Sequence, residues 1–116
     1  MRVAGFGFRR AAGLESFRAA LDLAGGRVDA LATAADKAGG LKALAQALNL
    51  PVIAVSPEAL SAQNVEGSQR VKQRFGTGSV SESAALVAAG PRARIVVSRV
   101  TSPDRMVVVA IAEDVP

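Results

Sequence analysis

Cysteine, histidine, tyrosine and tryptophan are all absent from this chain of 116 residues. Without thiols there is no disulfide and no thiolate nucleophile. Without thiols or imidazoles there is no Cys- or His-ligated metal and no Ser-His-Asp triad. Acid–base work falls to Asp, Glu, Lys, hydroxyls and arginine-polarised water. The four phenylalanines offer little surface for stacking bases, and no nucleic-acid-binding motif occurs, so no nucleic-acid partner is expected. No apolar run is long enough to cross a bilayer. The opening MRVAGFGFRR is cut by Arg9 and Arg10, which leaves too short an apolar stretch for a secretory leader. Nor does this arginine pair lead into the apolar run of a twin-arginine export signal, because Glu15 and Arg18 follow. A soluble cytoplasmic protein without membrane contact is expected.

What is present is largely aliphatic. Half the residues are hydrophobic, many of them alanine, so the core must be Leu, Val, Ile and Ala with closely packed elements. The length suits one domain over 1–116. Lys and Arg number 14 against 10 Asp and Glu, a net charge of +4 that favours an anionic partner. One basic cluster, Arg70, Lys72 and Arg74, reads either as a solvated face or as the lining of a site entrance.

Strand and helix patterns alternate along the chain. RVAGFGF (2–8) reads as a strand, and Leu14, Phe17, Leu21 and Ala24 recur at helical spacing until Gly25-Gly26. DALATA (29–34) is a second strand, whose end carries Thr33, Asp36 and Lys37, then Gly39-Gly40. Leu41, Leu44, Ala45 and Leu48 predict a helix over about 40–48, with Asn49 as its C-terminal cap. PVIAV (51–55) has the continuous apolar character of a strand buried in a parallel sheet. Ser56 and Pro57 then supply an N-cap and a first helical residue. Residues 63–79 are polar and basic, with at most a turn of helix near 70–75. A helix follows over about 80–89, then strands 93–100 and 105–112 joined by Thr101-Ser102-Pro103-Asp104 as an antiparallel hairpin. The order implies right-handed parallel crossovers, hence an α/β fold. It is expected to be a three-layer α/β/α sandwich with a mixed five-stranded sheet ending in that hairpin.

In such a sheet, ligands bind beyond the carboxyl ends of the parallel strands. That rim should carry Gly7 to Arg10, Thr33 to Lys37, Ser56 to Glu58 and the loop before Val80. GTGSVSESAALVAAG (76–90) belongs to it. Ser79 and Glu82 have capping-box spacing, and a glycine loop entering a helix N-terminus suits an anion. Thr77, Gly78, Ser79 and Ser81 are therefore candidate ligand contacts, against the simpler role of a helix start. Gly5 and Gly7 allow close approach, of a ligand or of a packed helix. Arginine forks match carboxylates, which selects Arg9 and Arg10. Lys37 is a candidate binding or orienting group. Asp36 and Glu82 are candidate acid–base catalysts, with a solvated turn and a helix cap as their plainer roles. No metal site and no cofactor are expected. The first glycines do not extend to Gly-x-Gly-x-x-Gly, since position 10 is Arg10, and no phosphate-loop Gly-Lys-Ser/Thr occurs.

GFGFRRAAG, ADKAGGLKALAQALNLPVIAVSPEAL, GTGSVSESAALVAAG and VVVAIA, in that order, resemble the CobE family of cobalamin (vitamin B12) biosynthesis, shared with the C-terminal domain of CbiG. Two positions depart from the family pattern. Phe8 stands where a cysteine is frequent, and arginine stands near Ser98-Arg99 where relatives often have lysine. The latter keeps the charge and changes the hydrogen-bond geometry. The resemblance implies a protein of the oxygen-dependent route that binds, and hands on, a corrinoid or precorrin intermediate to other pathway enzymes. The ligand would be a tetrapyrrole-derived macrocycle rimmed with carboxylates. The fused relatives resemble hydrolases that open a macrocycle lactone and expel acetaldehyde, so a precorrin hydrolase is the alternative. An unrelated anion-binding α/β module is the third reading.

Overall fold

In a computed structural model of the protein, residues 1–66 and 77–114 are described, with side chains over 1–62 and 80–114. The strands are β1 (Arg2–Phe8), β2 (Ala30–Ala34), β3 (Val52–Val55), β4 (Ala93–Thr101) and β5 (Val107–Asp114). The α-helices are α1 (Leu14–Leu23), α2 (Lys42–Leu48), α3 (Pro57–Glu66) and α4 (Thr77–Ala89). A 3₁₀ segment, Ala35–Leu41, joins β2 to α2.

The sheet order is β3-β2-β1-β5-β4. β1, β2 and β3 are parallel, and β5 runs antiparallel to both β1 and β4. Helices cover both faces, giving the expected three-layer α/β/α sandwich with a mixed five-stranded sheet and a C-terminal hairpin. On one face Phe17, Ala20 and Leu21 of α1, with Leu41 and Leu44, bury Ala4, Phe6, Phe8, Leu31, Val107, Val109 and Ile111. On the other, Ala84, Ala85 and Ala89 of α4 lie on Val3, Ala30, Ala32 and Ala112.

Element ends follow local chemistry. α1 ends as Gly25 and Gly26 take φ of 110° and 76°, where an L side chain is disfavoured, and the Gly26 N–H donates to the Leu21 carbonyl. Asn49 is left-handed (φ 57°, ψ 49°), the predicted C-cap of α2. The Ala59 N–H donates to Ser56 Oγ at 3.1 Å, which makes Ser56 the N-cap of α3.

Several local expectations differ from the structure. β3 is not a strand buried on both faces: it forms the edge of the sheet, with Ala54 exposed and Val55 alone fully buried. The helix expected over about 40–48 is α-helical only from Lys42, because the chain turns as 3₁₀ over Ala35–Leu41. Gly40 is required there because a Cβ would lie 2.6 Å from Phe8 Cε2. α4 is helical from Thr77, so Ser79 lies in its first turn instead of capping it. In β4 the alternation is broken twice. Ile95 pairs with Ala112 but Val97 with Ile111, and Val100 with Val109. Each bulge inserts an extra residue and turns the next side chain to the other face. Ile95 therefore packs toward α4, while Val97 and Val100 pack toward α1.

Candidate ligand-binding site

A cleft of about 380 Å³ opens at the carboxyl ends of β1 and β2, lined by Gly7, Phe8, Thr33, Ala34, Asp36, Lys37 and Val80. It lies where the chain leaves β1 for α1 on one face, while α4 covers the other. Ligands of open α/β sheets bind on this side, beyond the carboxyl ends of the parallel strands. A wider groove of about 780 Å³ runs along α2 and the start of β3, but Lys42 is its single charged lining residue. Size favours the groove; convergent charge and position in the topology favour the cleft, and we follow the chemistry.

The cleft is built from strand ends. Thr33 Oγ1 donates to the Phe6 carbonyl at 2.8 Å, tying β2 to β1 just below the opening. Phe8 is 6% exposed and its ring sits edge-on to Phe17 at 4.9 Å, so one wall is rigid. Lys37 Nζ donates to the Phe8 carbonyl at 2.7 Å and lies 5.1 Å from the centre of the Phe8 ring. The carbonyl and the ring face hold the ammonium in place. An ammonium has three donors, so two remain for an incoming oxygen. Gly7 presents only backbone to the cleft, and Val80, in the first turns of α4, closes the opposite side. The positive end of the α4 dipole points the same way.

Of the residues proposed from sequence, the structure brings Gly7, Asp36 and Lys37 together in this cleft. Arg9 and Arg10 are exposed on the loop that leaves β1, at the same end of the sheet. Gly5 lies elsewhere: a Cβ on it would stand 2.1 Å from the Ser81 carbonyl oxygen and 2.6 Å from the Ala85 nitrogen. The backbone approaching Gly5 is that of α4, so its role is helix packing. Ser81 is fully buried within α4, below the cleft surface. Glu82 Oε2 lies 3.8 Å from Arg99 Nε on β4, an ion pair that ties α4 to the edge strand. Arginine thus fills the 98–99 position with a paired charge. The side chains of Thr77, Gly78 and Ser79, and Arg70, Lys72 and Arg74, lie outside the described residues.

Sequence reasoning missed Phe8 as a wall and its carbonyl as the seat of Lys37. The signal was an aromatic at a strand end in the motif GFGF. It also missed Val80, whose nearness to Gly7 depends on α4 lying across β1. Among the described residues no group of three carboxylates gathers as a metal site would require, and no helix is long and apolar enough to cross a membrane.

Comparison with known proteins agrees with this architecture. Residues 2–112 match the family described as "Cobalamin synthesis G C-terminus". The crystal structure of cobalamin biosynthesis protein chiG from Agrobacterium tumefaciens str. C58 is 39% identical over all of both chains, with a TM-score of 0.79. That of CobE, a protein from the cobalamin biosynthetic pathway, is 29% identical over 99% of this chain and 91% of that one, with a TM-score of 0.80. A cobalamin biosynthesis protein G homologue from Sulfolobus solfataricus, 17% identical over 96% of this chain and 36% of that one, shares the fold (TM-score 0.69). No match was found among curated proteins. The family match sets aside the reading of an unrelated anion-binding module. With 111 consecutive positions matched, the same element order and two full-length structural likenesses, the chain belongs to the CbiG C-terminal family of cobalamin biosynthesis proteins, together with CobE.

Proposed function

We propose that this is a cytoplasmic protein of the oxygen-dependent route to cobalamin, which binds a carboxylate-bearing corrinoid or precorrin intermediate at the β1–β2 cleft and hands it to another pathway enzyme. The observation that carries the proposal is the seating of Lys37: an ammonium fixed on the Phe8 carbonyl at 2.7 Å, at the carboxyl ends of β1 and β2 beside the start of α4. A flat macrocycle needs an apolar floor and anion donors at its edge. Gly7, Phe8 and Val80 supply the floor, and Lys37 with the α4 N-terminus supplies the donors.

Titration with cobyrinic acid, a corrin with free carboxylates, should shift its visible absorbance. Lys37→Ala should weaken binding about tenfold, the scale of one charge-assisted contact, with circular dichroism unchanged. A folded protein that leaves the spectrum unchanged and shows no binding heat would remove the proposal. The hydrolase reading draws on one observation, the Asp36 carboxylate on the cleft wall. It predicts turnover of a lactone-bearing precorrin that Asp36→Asn abolishes; product analysis separates the two.

A further inference from the structure

We infer that Arg105, with Arg9 and Arg10, forms an arginine arm on the rim that grips carboxylates of the ligand outside the cleft, a site that rests on the binding reading above. The first observation is adjacency. β5 pairs antiparallel with β1, Phe8 opposite Val107, and the Arg9 N–H donates to the Met106 carbonyl at 2.9 Å. Arg105 is therefore held one residue from the contact that carries Arg9, at the same end of the sheet as the cleft. Nothing in the linear sequence, 96 residues apart, announces it.

The second observation is conformational. Among the described residues, two that are not glycine have positive φ: Asn49, a residue at home there, and Arg105, at 63°. Glycine or asparagine is the usual occupant of such a turn position. The turn is over-determined by its other residues. Ser102 Oγ accepts from the N–H groups of Met106 and Val107 at 3.2 and 3.1 Å and donates to Asp104 Oδ1 at 2.6 Å. The Arg105 N–H donates to the Ser102 carbonyl at 2.8 Å. A long cationic side chain in a strained position within a firmly built turn points to a use for that side chain.

The third is charge. Among the described residues none of the three arginines pairs with a carboxylate. The nearest acid in sequence, Asp104, is already engaged by Ser16 Oγ, Ser102 Oγ and the Met106 N–H. The fourth is size. At about 380 Å³ the cleft is at the small end of ligand sites, about 300–1,000 Å³. A corrin seated there would project over the rim, and its edge carboxylates would meet bidentate guanidinium donors.

The test compares cobyrinic acid with its all-amide analogue, which keeps the ring and removes the charge. Arg105→Asn should bind the acid about fivefold less tightly, as for one exposed ion pair, and the amide as the wild type does. Its melting temperature should be unchanged or higher, because asparagine accepts the left-handed conformation. Arg9→Ala, on an exposed loop, should lose a similar factor and keeps the test valid if the turn variant misfolds. Unchanged acid binding by both variants overturns the arm and leaves the cleft standing. Equal wild-type binding of acid and amide does the same. Failure of the wild type to bind either compound overturns the cleft reading and the arm with it.

Discussion

One face of the sheet is filled by large side chains, and the other is approached by helix backbone. Toward α1 and α2, Phe17 stands edge-on to Phe6 at 5.8 Å and to Phe8 at 4.9 Å, backed by Leu31, Leu41, Leu44 and Ile111. Toward α4, the contact is made by Ala84, Ala85 and Ala89 over Gly5, Ala30, Ala32 and Ala112. Volume fills the first interface, and absence of volume permits the second. The cleft lies on the seam between them, with Phe8 from the voluminous face and Gly7 and Val80 from the lean one. Gly5 sets how close α4 lies to β1, and so how far the α4 N-terminus stands from the rim.

The two faces should be damaged by volume changes of opposite sign. Phe17→Ala should be the most damaging, about 4 kcal/mol, since it deletes the ring that both Phe6 and Phe8 abut. Urea unfolding checks it, and a loss under about 2 kcal/mol would mean that the aromatic cluster is not what holds α1. On the lean face it is addition that harms. Gly5→Ala should cost about 3 kcal/mol by forcing α4 away from β1. Ala85→Gly in the same chain should recover little, because the closest obstacles are the backbone oxygen of Ser81 at 2.1 Å and the nitrogen of Ala85 at 2.6 Å. Full recovery would show that side-chain crowding, not helix approach, governs this face.

Features set by neighbours in sequence were legible: the α1 stripe, the Ser56 and Asn49 caps, β3 as a strand though not its edge position, and the hairpin. Topology then placed Gly7, Asp36 and Lys37 on one rim, because strand ends in a parallel sheet share a side. Illegible features depend on partners distant in the chain. Whether Gly5 met a ligand or a helix was decided by where α4 docks. The β4 bulges appear only in its register with β5. Glu82 had capping-box spacing, yet helix already exists at Thr77 and the carboxylate lies against Arg99. Arg105 joins the rim only because β5 runs back alongside β1.

The smallest effect expected concerns how the hairpin is fastened to the voluminous face. Ser16 on α1 donates its hydroxyl proton to Asp104 Oδ2, a polar clamp beside the apolar packing. The Asp104 carboxyl is held below its ordinary range, first by the Ser102 hydroxyl, then by Ser16 and the Met106 N–H. Asp114, at the far end of β5, is also lowered, by a hydrogen bond from the Met1 ammonium at 2.7 Å and by its charge. A carboxyl lowered in the folded state adds stability that is full above the unfolded value, about 3.9. It is lost as pH falls through the folded value, because protonation then costs the native state its acceptor. Melting temperature should therefore decline below about pH 4. Asp104→Asn and Ser16→Ala should each shallow that decline, and Asp114→Asn should shallow it independently, since the two carboxylates sit at opposite ends of one strand. Both groups are exposed, so salt should shrink the Asp114 contribution, which has an ionic component, more than that of Asp104, which rests on neutral donors. An acid profile that Asp104→Asn leaves unaltered would show that the clamp does not join α1 to the hairpin in solution.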